Sequence, residues 1–230
     1  MRAILLAAGY GTRLRPLTDS IPKCLVPING KPLLEIWLDR LSSAGFDSFL
    51  INTHYLSEQV EDFVNHCPYK EQIETVFESI LLGTGGTLIR NLGFFQNHDG
   101  LLVHADNYCL ANINNFVNAH FERPASCLMT MMSFRTETPS SCGILELDEN
   151  SVVMEFHEKV KSPPGNLANG AIYMLSPELL SLIGNEMSLA KDFSTDIVPR
   201  LMGRIFSYET SDLFLDIGTP ESYEAAVKLT

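Results

Sequence analysis

Residues 3–18 read Ala3-Ile4-Leu5-Leu6-Ala7-Ala8-Gly9-Tyr10-Gly11-Thr12-Arg13-Leu14-Arg15-Pro16-Leu17-Thr18. The apolar run from Ala3 to Ala8 predicts a buried first strand, because a short continuous apolar run is typical of strands in parallel sheets. Gly9 and Gly11 lack side chains that would keep a ligand from the backbone, so N–H groups can point at phosphate oxygens, and Arg13 adds a fork of donors. The stretch therefore predicts a strand followed by a phosphate-binding loop.

The loop matches neither of two common phosphate-binding motifs. The pattern GxxxxGK[ST] is absent, and Leu14 stands where the dinucleotide pattern GxGxxG needs its third glycine. On the glycines alone, a flexible turn with solvated arginines explains the stretch equally well, and both interpretations stay open.

Short apolar runs alternate with segments of helical period as far as His104, which predicts parallel strands joined by helices. Beyond residue 124 the runs are shorter and the turns closer, as in antiparallel strands. The sequence thus predicts an α/β fold, with a Rossmann-like, mostly parallel sheet, flanking helices and a small antiparallel lobe. No repeat or long linker divides the chain, so we expect a single domain over residues 1–230.

Helices are expected in the segments 32–44, 57–64, 177–183 and 195–202, and the segment 87–92 is expected to be part of another helix. Pro32 suits the first turn of the first helix, and Gly45 suits its end. The last of these helices is expected to begin with Ser194 as its cap.

The composition is that of a globular chain with an excess of acidic groups. Of 230 residues, 45% are apolar and 19% are charged, and 16 Lys and Arg against 28 Asp and Glu give a net charge of −12. Such a chain repels phosphate backbones and anionic lipids, which argues against nucleic acid and membranes as partners. A phosphorylated ligand must then be held at one small site where the few cations are concentrated.

The cysteines and apolar runs indicate a cytoplasmic protein. The five cysteines are odd in number and form no CxxC pair, which favours reduced thiols over disulfides or a zinc site. The apolar run at the N-terminus stops at Gly9 and is followed by arginines, unlike a secretion signal. No run approaches the roughly 20 apolar residues of a membrane span.

A second motif follows at residues 21–27, which read Ile21-Pro22-Lys23-Cys24-Leu25-Val26-Pro27. Its lysine lies in a stiff segment between two prolines, so the ammonium group keeps a nearly fixed position that suits a phosphoryl group. Together with residues 6–18, this pattern resembles the signature of the sugar-1-phosphate nucleotidylyltransferases, the NDP-sugar pyrophosphorylases. The Leu-Gly-Thr-Gly-Gly stretch at 82–86 also resembles the guanylyltransferases for mannose and heptose phosphates.

The resemblance implies one nucleotidyltransferase domain over residues 1–230. It would transfer a nucleotidyl group from an NTP to a sugar 1-phosphate, with Mg²⁺ as cofactor and release of pyrophosphate. On this hypothesis a phosphate oxygen of the sugar attacks the α-phosphorus directly, so catalysis consists of positioning and charge neutralisation. Arg13 and Lys23 are the expected catalytic residues, Arg13 holding the leaving phosphates and Lys23 the α-phosphate. The expected nucleotide-binding residues are Ala8, Gly9, Gly11, Thr12, Arg13, Glu78 and Gly83.

Two aspartates are expected to hold the metal. Asp106 follows a predicted strand at 101–103 and Asp216 follows another at 213–215, where open α/β sheets place their ligands. Mg²⁺ usually takes one or two carboxylates together with substrate phosphates. Alone, each aspartate is more often a helix or turn cap, and it is the resemblance that implies metal binding. The family usually has glycine before the first aspartate, whereas this chain has Ala105, whose methyl group is expected to narrow the pocket.

In the family, a polar side chain at the position of Glu78 and the backbone near Gly83 read the base. An ionised carboxylate accepts hydrogen bonds and donates none, which matches the adjacent N1–H and N2–H₂ donors of guanine. Uracil or thymine would be better matched by a glutamine amide. GTP is therefore favoured, although glutamate also occurs here in some uridylyltransferases, and a glutamate that caps the following turn is the structural alternative.

Four residues of the second half are expected to bind the sugar phosphate, namely Gly143, Glu158, Lys159 and Asn169. The side chains supply acceptors and donors for hydroxyl groups and one cation for the phosphate. Since an adjacent Glu-Lys pair is normally a solvated pair, the assignment depends on the resemblance. The family's Asn-Gly-Gly segment departs here in its last residue, Ala171.

Several alternatives stay open. A non-catalytic module would bind sugar nucleotides without releasing pyrophosphate. An enzyme of the same fold could act on phosphocholine, whose ammonium group needs an aromatic cluster. UTP, CTP or dTTP could replace GTP, and the sugar and the formation of a homo-oligomer are undecided. His54, His104 and His157 are widely separated and are expected to be structural.

Overall fold

The computed structural model describes residues 1–229, which divide into two compact units. The first unit contains Met1–Leu81, Val103–Leu110 and the chain from Leu213 onward, and the second contains Leu82–Leu102 and Ala111–Asp212. The first unit thus combines the N-terminal part of the chain with two short segments from later in the sequence.

Strands and α-helices alternate over much of the chain. The strands are β1 (Arg2–Leu6), β2 (Pro27–Ile28), β3 (Lys31–Pro32), β4 (Ser48–Thr53), β5 (Ile73–Phe77), β6 (Gly100–His104), β7 (Asn107–Cys109), β8 (Met129–Arg135), β9 (Gly143–Leu147), β10 (Val153–Glu158), β11 (Leu167–Leu175), β12 (Ile205–Glu209) and β13 (Phe214–Asp216). The α-helices are α1 (Leu33–Ser43), α2 (Ser57–His66), α3 (Gly83–Arg90), α4 (Ile113–Glu122), α5 (Pro177–Glu186) and α6 (Pro220–Lys228).

Parallel strands form the centre of the first unit. β4 pairs with β1 on one side and with β5 on the other, and all three run in the same direction. The apolar run of β1 is buried, and α1 buries one face made of leucines and Trp37. The register pairs Leu6 with Asn52 and Thr53 with Phe77. The three strands therefore end at one edge, and the segments that follow them carry Gly9, His54 and Glu78.

An apolar cluster in the first unit joins segments that are far apart in sequence. β13 pairs antiparallel with β7, which places Asp216 opposite Asn107. α6 begins with reciprocal cap hydrogen bonds between Thr219 and Ser222. The buried members of the cluster are Leu14, Val26, Ile28, Leu33, Tyr108, Ile217 and Ala226. Burial of their apolar surface holds the N-terminal loop, the segment after Lys23 and the last strand together.

Antiparallel pairing prevails in the second unit. β11 pairs antiparallel with β8 and β9, β10 pairs antiparallel with β9, and β12 runs parallel to β8. Its core includes the buried rings of Tyr173 and Phe193, whose centroids are 4.5 Å apart. The predicted α/β fold with parallel strands, flanking helices and an antiparallel lobe is confirmed.

The helix expected over 195–202 is wrong. A π-helical turn at Phe193–Ile197 and a 3-10 turn at Val198–Leu201 take its place. Pro199 accounts for the difference, because its ring removes an N–H donor and disfavours a continuous α-helix. The cap is also not Ser194, since Asp192 accepts the N–H of Thr195 at 2.9 Å.

Two further observations bear on the sequence-based expectations. Within residues 1–229, no helix is long and apolar enough to cross a lipid bilayer. All five cysteines have free thiols. The expectation of a single domain over residues 1–230 stays a prediction.

A buried histidine links α4 to β8 in the second unit. His120 is fully buried, with Nε2 2.9 Å from Asp99 Oδ1 and Nδ1 3.0 Å from Thr130 Oγ1. Burial lowers the pKa of His120, and the hydrogen bond to Asp99 offsets that effect only in part. The ring is therefore neutral at pH 7, donating to the carboxylate and accepting from the hydroxyl group.

We expect this histidine to make stability depend on pH. Because its pKa is below the ordinary value of about 6.5, the unfolded chain takes up protons first, and the free energy of unfolding decreases as pH falls below about 6.5. His120→Gln should lose about 1–3 kcal/mol at pH 7, since buried polar partners are left unpaired, yet lose less than the wild type between pH 7 and pH 5. Urea unfolding at pH 7, 6 and 5 measures both effects. Exposed His66→Gln is the control, and an unchanged pH slope in His120→Gln would contradict the assignment.

Candidate active site

The loop after β1 turns sharply at Gly11. Its φ is +64°, and a Cβ there would lie 2.9 Å from Thr18 Cγ2. The turn is closed by two hydrogen bonds to the Gly11 carbonyl oxygen, from Thr18 Oγ1 at 2.7 Å and from the Leu14 N–H at 2.9 Å. Ala8 is buried, whereas Gly9, Thr12 and Arg13 are exposed. The predicted loop residues thus present backbone and one guanidinium group to solvent.

Four predicted residues of the first unit converge on one point. Lys23 Nζ donates to Asp106 Oδ2 at 2.6 Å and lies 3.5 Å from Asp216 Oδ1, and Arg13 Nη2 lies 3.6 Å from Asp216 Oδ2. Lys23 opens a short 3-10 turn after Pro22, Asp106 follows β6 and Asp216 ends β13. Side chains far apart in sequence therefore form one compact cluster of two cations and two carboxylates.

The charges of this cluster compensate each other. Burial alone would raise the pKa of Asp106, but the attraction of Lys23 and its hydrogen bond hold the pKa of that carboxyl group below its usual value. Lys23 is only 7% exposed, and a buried ammonium group needs such partners. Burial also raises the pKa of the neighbouring Cys24 thiol to about 12, so this cysteine is no nucleophile at neutral pH.

The donor set at this cluster fits a magnesium ion. Mg²⁺ prefers carboxylate oxygens and substrate phosphates as ligands, and Asp106 and Asp216 contribute the two carboxylates that such sites need. Both contact the same ammonium group, so they face the same small volume, and Asp216 is about half exposed. Ala105, expected to narrow this pocket, is fully buried, so its methyl group does not project into solvent.

The side chain of Glu78, which is predicted to read the base, is buried. Glu78 follows β5, donates its N–H to Thr53 O at 2.9 Å and is only 1% exposed. Asn52 Nδ2 donates to Glu78 Oε1 at 3.0 Å. Its neighbours Phe77 and Ile80 are exposed.

Gly83 begins α3 in the second unit and is exposed. The first turn of this helix is attached to a later segment, because the N–H groups of Gly85 and Gly86 both donate to Lys191 O, at 2.9 and 3.1 Å. Thr84 Oγ1 accepts the N–H of Phe193 at 2.7 Å. These bonds fix the backbone position of Gly83 within its own unit.

Three of the residues predicted for the sugar phosphate lie together in the second unit. Gly143 is opposite Glu158 across the β9–β10 pair, and a Cβ at Gly143 would lie 2.5 Å from Glu158 Oε2. A side chain at position 143 would therefore have to displace this carboxylate and the ring of Phe156. Lys159 Nζ lies 3.3 Å from Glu158 Oε1, and the Lys159 N–H donates to Cys142 O at 3.1 Å.

Asn169, the fourth residue, lies on β11 in a local distortion of the strand. Its Oδ1 accepts the N–H of Ala171 at 2.9 Å, and its Nδ2 donates to Tyr173 Oη at 2.7 Å. Burial raises the pKa of Tyr173, which keeps its hydroxyl group protonated. Ala171 has φ +53°, a left-handed conformation that favours glycine. This conformation is a physical reason for glycine in the Asn-Gly-Gly form of the segment.

Two residues of this region, Asn52 and His54, are not among the predicted site residues, and His54 was expected to be structural. Asn52 contacts Glu78, and His54 Nδ1 donates to Glu78 O at 2.6 Å. Both lie at the carboxyl end of β4, where parallel sheets commonly carry ligand-binding residues, and that position was the available signal. The roles of the predicted site residues stay predictions.

Sequence and structure comparisons relate this chain to known proteins. A family model described as "Nucleotidyl transferase" matches residues 2–230. The mannose-1-phosphate guanylyltransferase of Mycobacterium tuberculosis is 30% identical over 228 residues, which cover 96% of this chain and 62% of the relative. The D-glycero-alpha-D-manno-heptose 1-phosphate guanylyltransferase of Campylobacter jejuni is 29% identical over 228 residues and 97% of both chains. The UTP–glucose-1-phosphate uridylyltransferase of Synechocystis is 29% identical, with 99% and 63% coverage.

The chain thus spans only about three fifths of the length of several relatives that it matches. A crystal structure of HddC from Yersinia pseudotuberculosis complexed with GMP-PN superposes with a TM-score of 0.82 at 25% identity, covering 99% of this chain and 98% of that one. A structure described as a glucose-1-phosphate thymidylyltransferase from Bacillus anthracis shares the fold, with a TM-score of 0.86 at 21% identity and 100% and 94% coverage.

The left-handed conformation at Ala171 predicts that Ala171→Gly stabilises the protein. Glycine removes a strain of about 1–2 kcal/mol but makes the unfolded chain more flexible, which leaves a net gain of about 0.5–1 kcal/mol. Ala119→Gly within α4 is the matched control and should cost about 1 kcal/mol, because that helix gains nothing from glycine. Urea unfolding of both variants measures the difference, and an equal loss in both would refute the argument.

Proposed function

This chain belongs to the nucleotidyl transferase family, and we propose that it transfers a nucleotidyl group from an NTP to a sugar 1-phosphate. The observation that carries the proposal is the contact of the buried Lys23 ammonium group with both Asp106 and Asp216, beside Arg13 and the exposed glycine loop. Cations, carboxylates and open backbone at one place are what a polyphosphate substrate requires.

The proposed reaction is a direct displacement at the α-phosphorus of the NTP. A phosphate oxygen of the sugar 1-phosphate forms the new P–O bond, the bond between the α- and β-phosphates breaks, and pyrophosphate leaves. Arg13 and the N–H groups of Gly9, Gly11 and Thr12 hold the leaving phosphates. Lys23 neutralises charge on the α-phosphate, and its two hydrogen-bonded aspartates keep its position fixed.

The charge balance of the cluster supports a metal requirement. The two cations and two carboxylates cancel, so these side chains alone offer little net attraction to a triphosphate. Asp106 and Asp216 would hold Mg²⁺, which when bound supplies positive charge to the reacting phosphates. The two carboxylates would thereby orient both the metal ion and the ammonium group of Lys23.

We propose GTP as the nucleotide and a mannose- or heptose-type sugar 1-phosphate as the acceptor. The carboxylate of Glu78 matches the donors of guanine, and relatives are named guanylyltransferases for both sugar phosphates. Ala8 and the backbone near Gly83 complete the proposed nucleotide contacts. The proposed binding site for the sugar phosphate consists of Gly143, Glu158, Lys159 and Asn169. Hydrogen-bonding groups of these residues would contact the sugar hydroxyls, and the Lys159 ammonium group would contact the phosphate.

The proposed setting is the cytoplasm, which the five free cysteines favour. NTP and sugar 1-phosphate are the proposed partners. Nucleic acid is not, because the net charge of −12 opposes an extended phosphate backbone.

Removal of single charges tests the mechanism. Lys23→Met and Asp106→Asn should each lower kcat by roughly 10²–10³-fold, as expected when one group that stabilises the transition state is lost. Lys70→Met, which removes an exposed lysine of the same unit, should leave kcat unchanged. Pyrophosphate release at saturating substrate and Mg²⁺ gives the rates, and circular dichroism verifies folding. Activity within a few-fold of wild type in a folded variant would remove that residue from the mechanism.

A panel of NTPs crossed with sugar 1-phosphates tests the substrates. We expect the largest kcat/KM for GTP with a mannose- or heptose-type phosphate, read by pyrophosphate release. A preference for UTP, CTP or dTTP would overturn the base assignment and leave the reaction class intact. Binding of nucleotides without pyrophosphate release from any pair would instead indicate a non-catalytic module.

A further inference from the structure

We propose that Asn52 is a positioning residue that determines which hydrogen-bonding group residue 78 presents to the base. The inference rests on the proposed function, in which Glu78 reads the base. It adds that a hydrogen bond from Asn52, on the neighbouring strand β4, fixes how Glu78 is oriented.

The amide of Asn52 has only one orientation that satisfies its neighbours. Its Oδ1 accepts the N–H of Ala7 at 2.8 Å, and its Nδ2 donates to Glu78 Oε1 at 3.0 Å. A flipped amide would place two donors together at Ala7 and two acceptors together at Glu78. Asn52 is 4% exposed and Glu78 is 1% exposed, so water cannot readily replace either bond. Asn52 therefore always offers a donor to residue 78.

A fixed donor has different consequences for a carboxylate and for an amide at position 78. A carboxylate accepts on both oxygens, so Glu78 satisfies Asn52 and still offers acceptors to the N1–H and N2–H₂ groups of guanine. A glutamine would have to turn its oxygen toward Asn52, which leaves its NH₂ group for the base. That group opposes guanine and matches a carbonyl oxygen of uracil or thymine. Because Asn52 always donates, a carboxylate at position 78 favours guanine, and an amide at that position favours uracil or thymine.

The backbone of residue 78 is held by the same strand end. The N–H of Glu78 donates to Thr53 O at 2.9 Å, and its carbonyl oxygen accepts from His54 Nδ1 at 2.6 Å. His54 Nε2 in turn lies 2.9 Å from the hydroxyl group of Tyr10, in the glycine loop. Consecutive residues of β4 and its extension therefore fix both the main chain and the side chain of Glu78, and join them to the phosphate loop.

The exposed side chains beside the buried Glu78 indicate where the base approaches it. Phe77 is 54% exposed and Ile80 is 77% exposed, on either side of the buried Glu78. We place the base against this exposed bend, next to the buried pair of Glu78 and Asn52.

The test measures the ratio of kcat/KM for GTP to kcat/KM for UTP. It compares this ratio in three proteins, namely the wild type, Glu78→Gln and the double variant Asn52→Asp with Glu78→Gln. Glu78→Gln should lower this ratio by roughly ten- to a hundredfold, because a donor then faces the donors of guanine. In the double variant, the carboxylate introduced at position 52 accepts both the Ala7 N–H and the NH₂ group of the glutamine at position 78, so the oxygen of that glutamine turns to the base. The GTP/UTP ratio should recover by about tenfold or more over Glu78→Gln.

The outcomes separate this inference from the proposed function. If Glu78→Gln keeps the wild-type ratio, Glu78 does not read the base, and both the base assignment and this inference fail while the reaction class stands. If Glu78→Gln loses GTP preference and the folded double variant stays equally low, Asn52 is only a structural brace, and the reading of the base by Glu78 stands. Asn65→Asp with Glu78→Gln, which adds the same charge at an exposed helical position, should not restore the ratio.

A second variant covers the case in which a carboxylate at position 52 prevents folding. In Asn52→Ala with Glu78→Gln no donor directs the amide, which is then free to rotate and present its oxygen to guanine. Its GTP/UTP ratio should rise several-fold above that of Glu78→Gln, and an unchanged ratio would refute the inference. Thermal unfolding of each variant with and without nucleotide confirms that folded protein is compared.

Discussion

The buried ammonium group of Lys23 is the interaction on which the first unit depends. It contacts Asp106 at 2.6 Å and Asp216 at 3.5 Å, and it is almost withdrawn from water. Leaving such a charge without partners costs about 3–5 kcal/mol, so the three segments must meet for the unit to be stable. Lys23 and Asp216 are separated by 193 positions. The same constraint that closes the fold therefore also assembles the proposed catalytic cluster.

This arrangement reconciles an acidic chain with a phosphorylated substrate. The net charge of −12 is spread over the whole sequence, whereas Arg13 and Lys23 cancel two carboxylates locally. A divalent cation on those carboxylates would make the cluster positive without any extended basic surface. On the proposed function, this concentration of charge favours small polyphosphates over nucleic acid, because long backbones need many cations in a row.

The sequence predicts best what depends on local pattern. β1 (Arg2–Leu6) falls largely on the apolar run 3–8 that predicts it, and the glycine loop that follows is recognisable from its spacing. α4 was not expected, because its asparagines have low helix propensity, although Ile113, Phe116, Val117 and His120 form a continuous buried face. The pairing of β7 with β13 and the contact of Asn52 with Glu78 depend on strand register, which no local window of sequence contains. Pro199 shows the reverse case, because this proline is plain in the sequence and disfavours the continuous α-helix expected over 195–202.

The hydrogen bonds at the end of β4 connect the stability of the fold to the proposed choice of nucleotide. Asn52 accepts from the strand that leads into the phosphate loop and donates to the residue proposed to read the base, and both bonds are buried. A change of base preference by substitution at position 78 alone must therefore work against a fixed donor, with the cost of an unpaired buried group. A change at position 52 alone disturbs the attachment of β1. On this proposal, base preference is a property of the two residues together, and it changes at least cost when both are replaced.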